Sequence, residues 1–322
     1  MSQSSGARWE SQLTDGTSEQ SGARDGAIAT RDPSRYAPCL IKWHRRFDDS
    51  KKVLFLRYPG GKGRMLDFLI PQFASSIITA NRFVEPFAGG GAVFFALSPK
   101  RALLSDINSE LIDLYAGIRR YPMGVWNIFQ GFPSTKNAYY KIRDWKHDEL
   151  DLPTRAARTL YLNRTCFKGM WRHNSNGEFN VGYGGQDRRW VISKETLVLV
   201  SKKLWRVSLK CCDFEEVIDS CEEDDFIFVD PPYCPGEREM IHHHYRYGKF
   251  SFNDHKRLAA TLKRASARGI RWAMTTSAHP DIVYLFRRYH IVSIPRGTGR
   301  KIGVLTKNSG EVLVRNYEEV FQ

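Results

Sequence analysis

From Val53 onward, short apolar runs alternate with longer stretches whose apolar residues recur at helical spacing. "RFVEPFAGGG" reads as a strand over 82–84 that ends in a glycine loop. "RALLSDINSELIDLYAGI" reads as a strand over 102–104, then an acid, then a helix. In "DDFIFVDPPY" the run 226–229 is short, continuous, β-branched and aromatic, as in a strand buried on both faces, and two prolines end it because neither can donate to a ladder. The amphipathic segment 253–268, closed by Gly269, leads into a fourth strand in "IRWAMTTSAH". Strand, helix, strand in this rhythm predicts an α/β fold, a parallel sheet covered by helices on both faces.

Residues of about 120 to 210 break the rhythm. "STKNAYYKIRDW" and "LPTRAARTLYLNRTCF" look helical, with Ser134 and Thr154 as candidate N-caps, and a Gly-, Asn- and Arg-rich loop, "RHNSNGEFNVGYGGQDRR", follows. The segment reads as a mainly helical insertion with a job of its own, bounded at 121 and 210, between two parts of one catalytic domain, 51–120 and 211–322. Residues 1 to about 35 are rich in Ser, Gly, Gln, Thr and Asp with few large apolar side chains, and the stretch 1–50 is expected to be a disordered tail.

The formal charge of +14 favours a polyanionic partner, and its distribution sharpens this. Between Arg119 and Lys210 there are 18 Lys and Arg against 7 Asp and Glu, so most of the excess sits in the insertion. A solvated basic face is the alternative. The six cysteines form no CxxC pair, which disfavours a zinc framework, and no metal is expected. No apolar run approaches the roughly 18 residues of a membrane span, and the N-terminus has no apolar h-region. The expectation is a cytoplasmic protein with free thiols.

In an open parallel sheet, ligands bind at the carboxyl ends of the strands, and the chemistry-bearing motifs fall there. The loop from Glu85 through Phe87 to Gly89 and Gly91 allows a tight turn and close approach of a ligand, or is a plain turn. Asp106, at the tip of the second strand, suits the ribose hydroxyls of a nucleoside cofactor, or caps the next helix. The loop is not GxxxxGK[ST], so a phosphate-cradling P-loop is disfavoured. Upstream, "YPGGK" supplies a ring at Tyr58, open backbone at Gly60 and Gly61, and a cation at Lys62 that could face a carboxylate. The corner Asp230, Pro231, Pro232, Tyr233 suits a planar base with an exocyclic amine: the Asp230 carboxylate and the Pro231 carbonyl each accept one N–H, Tyr233 offers a stacking face, and stiff prolines hold the acceptors.

"YPGGK", "EPFAGGG", "SDIN", "YLNRTCFKGMWRHNSNGEFNVGYG", "DPPY" and "GEVLVRNY" stand in the order of the Dam-type (D12 class) adenine-specific DNA methyltransferases, and residues 53 to about 317 resemble that family. The resemblance implies a Rossmann-like methyltransferase sheet with an inserted target recognition domain. It implies S-adenosylmethionine as cofactor and transfer of its methyl group to the N6 amine of a flipped-out adenine in double-stranded DNA, by a monomer. By position, it implies that Tyr58, Lys62, Glu85, Phe87, Gly89, Gly91, Asp106 and Asp230 surround the cofactor, and that Asp230, Pro231, Pro232 and Tyr233 form the catalytic corner. Phe167, Met170, Arg172 and Asn174 are implied to contact DNA, Phe167 as a wedge and Arg172 as a reader of guanine. The chain departs from the family with Phe167 in place of tyrosine, Met170 in place of leucine and Gly182 in place of proline, which leaves a GATC target open.

Three further features are read as bland: His242 to His244 as a solvated loop rather than a metal site, Cys234 as an inert thiol, and the basic stretch 295–301 as a surface loop or a phosphate contact. Rival readings are an amino-methyltransferase acting on RNA adenine or on cytosine, and a catalytically silent DNA-binding module. The last predicts loss of Asp230, Lys62 or the glycines, all of which are present.

Overall fold

A computed structural model describes residues 53, 55–174, 177–233, 250–297 and 305–318. The expected tail, Cys234, His242 to His244 and residues 298–301 lie outside the described residues. Helices α1 (Leu66–Leu69) and α2 (Ala74–Thr79) precede β1 (Arg82–Glu85), α3 (Ala92–Leu97) and β2 (Ala102–Ser105). Five helices follow: α4 (Ser109–Arg120), α5 (Pro122–Gly131), α6 (Lys136–Arg143), α7 (Leu152–Thr165) and α8 (Lys194–Leu204). Then come β3 (Val207–Lys210), α9 (Phe214–Asp219), β4 (Asp225–Val229), α10 (Phe252–Ala267), β5 (Arg271–Ser277), α11 (Pro280–Leu285), β6 (His290–Gly297) and β7 (Leu305–Arg315).

The sheet runs β3-β2-β1-β4-β5-β7-β6. From β3 to β5 every pair is parallel, with Val84 opposite Leu103 on one side and Ile227 on the other. This is a doubly wound order, and the direction of winding reverses between β1 and β4. A wholly parallel sheet was the expectation, but β7 lies antiparallel between β5 and β6. The consecutive strands β6 and β7 pair with each other, and only antiparallel neighbours can be joined without a long crossover.

Alternate residues of the central strands face opposite sides, as a period of two requires. Phe83, Leu104, Phe226 and Phe228 pack on one side with Phe73 and Phe94, whereas Val84, Leu103, Ile227 and Val229 pack on the other with Val217, Leu258 and Trp272. The first cluster continues without a break into Val125, Phe129, Tyr139, Tyr161 and Leu197, so the helices of 121–204 share a core with the sheet. The boundary expected at 210 also shifts, because Val207–Lys210 is the sheet's edge strand and pairs with β2.

Two caps differ from expectation. The α6 cap is Thr135, whose hydroxyl accepts from the Ala138 amide, rather than Ser134. The α7 cap is Asp151, which accepts from the Thr154 amide. Pro153 belongs to the first turn of α7, where a missing N–H costs nothing, so the helix starts upstream of Thr154. Among the described residues, no helix is long and apolar enough to cross a membrane. No group of three or more His, Cys, Asp or Glu among them is placed to hold a metal.

Candidate active site

The glycine loop leaves β1 and folds back on the tip of β2. The Ala88 amide donates to the Ser105 carbonyl at 2.8 Å, and the Gly89 amide to Asp106 Oδ2 at 3.0 Å. Gly89 and Gly91 have φ of 46° and 62°, left-handed values that favour glycine. Space requires it too: a Cβ on Gly89 would stand 2.9 Å from the Tyr58 ring, and one on Gly91 2.9 Å from Phe95. The Tyr115 hydroxyl pins the loop from below by donating to the Gly89 carbonyl at 2.5 Å.

Asp106 does not cap α4. Asn108 does, accepting from the Glu110 amide at 3.1 Å, while Asp106 Oδ1 accepts from the Asn108 amide at 3.0 Å. Burial pushes the Asp106 carboxyl above the usual carboxylate range, and the amides of Asn108 and Gly89 counter part of that. Glu85, the last residue of β1, is buried with its Oε2 lacking a hydrogen-bond partner among the described residues. Its carboxyl stands well above the usual range, first through burial and then through repulsion from Asp230. A buried acid oxygen without a donor, beside a loop with no room for side chains, fits the ammonium end of a nucleoside-linked amino acid.

Asp230 sits at the carboxyl end of β4, beside the point where the sheet reverses its winding. One of its oxygens, Oδ1, accepts from Thr275 Oγ1 at 2.6 Å and Lys62 Nζ at 2.9 Å, and the Tyr233 hydroxyl lies within reach at 3.3 Å. Lys62 is buried, also donates to the Gly60 carbonyl at 2.8 Å, and lies 4.7 Å from the centre of the Tyr233 ring. Lys62 was read as a cation that could face a carboxylate, and the carboxylate nearest to it is Asp230. Pro231 is buried and Pro232 exposed, as a chain turning out of the sheet requires. Burial first, then the charges of Asp230 and Glu311, raise the Tyr233 phenol well above its ordinary value, so it stays a donor. Phe87 stacks on Phe214 at 5.2 Å and meets Phe250 edge-on at 5.7 Å, forming an aromatic wall beside the loop.

The expected reading stretch begins where α7 ends. Asn163 clamps the backbone of Arg57 through both of that residue's amide and carbonyl, and Arg164 donates to the Phe55 carbonyl. Beyond α7 the side chains alternate: Trp171 and His173 are buried, whereas Met170, Arg172 and Asn174 are half-buried. Trp171 packs 5.7 Å from Tyr58, which brings the stretch against the YPGGK segment. Phe167 is 48% exposed, beside Lys168, which holds a left-handed φ of 52°. The guanidinium of Arg172 is held by Asn180, with Nε donating to Oδ1 at 2.7 Å and Nη2 to the carbonyl at 3.1 Å. The Asn174 side chain closes a turn with Glu178, accepting from its amide at 2.9 Å and donating to Oε2 at 2.8 Å.

Sequence reasoning missed several partners. Thr275 and Glu311 reach Asp230, Lys62 and Tyr233 from β5 and β7. Glu110 binds His173 at 3.0 Å and Arg158 at 3.3 Å, anchoring the stretch after α7 to α4. Burial alone would raise the Glu110 carboxyl; the hydrogen bond from His173 and the charge of Arg158 outweigh it and hold it at about 2. The hydroxyls in "TTSA" and the acid in "GEVLVRNY" were the available signals, but nothing in their spacing pairs them with Asp230.

A doubly wound sheet with a glycine loop, an acid after the second strand and a braced carboxylate after the fourth has the form of a nucleoside-binding α/β enzyme. The family model of the D12 class N6 adenine-specific DNA methyltransferases matches residues 58–297, and the chain belongs to that family. It is 31% identical to the Type II methyltransferase M1.LlaDCHI of Lactococcus lactis subsp. cremoris over 82% of this chain and 95% of that one. It is 34% identical to the DNA N-6-adenine-methyltransferase of Escherichia phage P1, over 71% of this chain and 30% of that one. With the DNA adenine methylase of Haemophilus influenzae it shares 32% identity over 65% of this chain and 73% of that one. Among solved structures, the rRNA methyltransferase aviRa from Streptomyces viridochromogenes aligns with 84% of this chain and 92% of its own at 12% identity, with a TM-score of 0.35. The chain is a DNA adenine methyltransferase.

Proposed function

We propose that the chain, acting as a monomer, uses S-adenosylmethionine to methylate the N6 amine of an adenine flipped out of duplex DNA at one short sequence. The observation that carries the reading is the Asp230 carboxylate, braced on one oxygen by Thr275 and Lys62 at the reversal point of the sheet. S-adenosylmethionine supplies an electrophilic methyl group on a sulfonium centre.

The residues of this chain do the rest. Glu85 offers its unpartnered oxygen to the cofactor's ammonium, Gly89 and Gly91 keep side chains out of its path, and Asp106 keeps lone pairs for ribose hydroxyls. Phe87 lines the cradle through its stack with Phe214. Asp230 accepts one N–H of the amine and the Pro231 carbonyl the other, which turns the nitrogen lone pair away from the ring and stabilises the positive charge that develops on nitrogen. Tyr233 presents the ring face not covered by Lys62 to the base. Fixing amine and methyl in line is worth roughly 7–11 kcal/mol of barrier in well-oriented systems. Extracting the base from the duplex costs a few kcal/mol. Exposed Phe167 is suited to fill the gap in the stack, Met170 and Arg172 to contact base edges, and Asn174 to shape their turn.

The test is a methylation map. The protein is expressed in a methylation-free bacterial host and the genome is read for modified bases. Methyl-adenine at one motif, absent when Asp230→Ala replaces the wild type, is the expected result. Unmodified DNA from cells holding folded, cofactor-binding protein would overturn it.

A further inference from the structure

Glu311 lies on β7, opposite Ser277 of β5, so the antiparallel insertion carries a carboxylate to the same edge of the sheet as Asp230. Its Oε2 stands 3.0 Å from the Tyr233 hydroxyl and 3.8 Å from Lys62 Nζ. The Tyr233 hydroxyl has one proton and two carboxylates in reach, Glu311 at 3.0 Å and Asp230 at 3.3 Å. Asp230 Oδ1 already accepts from Thr275 and Lys62 at 2.6 and 2.9 Å, and a carboxylate oxygen offers about two lone-pair sites. A third donor there would oversubscribe the oxygen and draw down its charge.

We propose that Glu311 completes the active site as a positioning residue: it accepts the hydrogen bond of the Tyr233 hydroxyl and so preserves the Asp230 carboxylate as acceptor for the substrate amine. The inference rests on the function proposed above. Lys62 meanwhile stands between two carboxylates, so its charge is not spent on Asp230 alone. Burial raises the Glu311 carboxyl and the Lys62 charge counters that, as befits an acid held inside a site.

The test uses the full chain and a duplex carrying its mapped motif. Single-turnover methylation is measured beside binding of S-adenosylhomocysteine, 2-aminopurine fluorescence at the target base, and thermal melting. Glu311→Leu deletes the acceptor, and its rate should fall about tenfold, the kinetic equivalent of about 1.4 kcal/mol. Binding of S-adenosylhomocysteine, base extrusion and melting should stay near wild type. Glu311→Gln keeps an acceptor oxygen and should recover most of the rate. In a Tyr233→Phe background, Glu311→Leu should add no further loss, because the hydroxyl it was holding is gone. A wild-type rate in Glu311→Leu, or multiplying losses in the double variant, would overturn the proposal. So would a rate loss matched by loss of S-adenosylhomocysteine binding and melting temperature. Should Glu311→Leu fail to fold, Glu311→Gln in the two backgrounds gives the same comparison on a smaller scale. A wild-type protein that methylates no DNA sinks the underlying function instead, and the wild-type arm shows which has failed.

Discussion

Thr275→Val removes one hydroxyl from a buried position and replaces it with a methyl of similar size. Thr275 is fully buried, and its Oγ1 donates to Asp230 Oδ1 at 2.6 Å, the shortest contact that carboxylate makes among the described residues. A hydrogen bond to a charged acceptor contributes about 1.5–3 kcal/mol. Lys62 stays on the same oxygen at 2.9 Å, which places the effect at the lower end. With Asp230 held in one orientation as the amine reacts, about 1.5 kcal/mol appears as roughly a tenfold fall in the single-turnover rate. Losing a donor also leaves Asp230 a stronger acceptor, which works the other way, but orientation matters more where the Lys62 cation already sets the charge. Thr276→Val provides the control, since the buried Thr276 hydroxyl has no partner among the described residues and its loss should leave the rate unchanged. The assay is single-turnover transfer of a labelled methyl group, with thermal melting to confirm that both variants fold. Equal rates for Thr275→Val and wild type would show that the Thr275 contact does nothing for the reaction and refute the reasoning.

Arg172→Ala should relax sequence choice more than it weakens overall DNA binding, scored as the ratio of methylation at the mapped motif to that at single-base variants; a uniform loss across sequences would make Arg172 a phosphate contact. His255 is buried edge-on to Phe250 at 4.7 Å, and burial lowers its imidazole to about 4. Between about pH 6.5 and 4 the unfolded chain binds a proton there that the folded chain refuses, so stability falls on acidification through that window by up to about 1.4 kcal/mol per pH unit. His255→Leu should flatten this slope in urea unfolding across pH, and parallel curves for the two proteins would refute it.

Local grammar was enough to read most of the fold. The runs around Val84, Leu103, Ile227 and Trp272 are strands because they are short, continuous and apolar, and the glycine and proline corners beside them carry the site. Those signals lie within a few residues of one another, where spacing alone constrains geometry. Cap positions slipped by one to three residues because Pro153 and Thr135 change the first turn in ways that a polar residue count does not weigh.

Sequence by itself determined the family motifs, the parallel strands and the acidic corner at Asp230. Only the tertiary structure decided which groups face that corner. Glu311 is 78 residues from Tyr233 and Thr275 is 45 from Asp230, and they meet because antiparallel β7 brings Glu311 beside Ser277 at the carboxyl end of β5. The tertiary structure likewise merged the helices of 121–204 into the sheet's core and tied His173 to Glu110. Strand order and register are set by packing of whole faces, and a pairing between distant strands leaves no periodic trace in the chain.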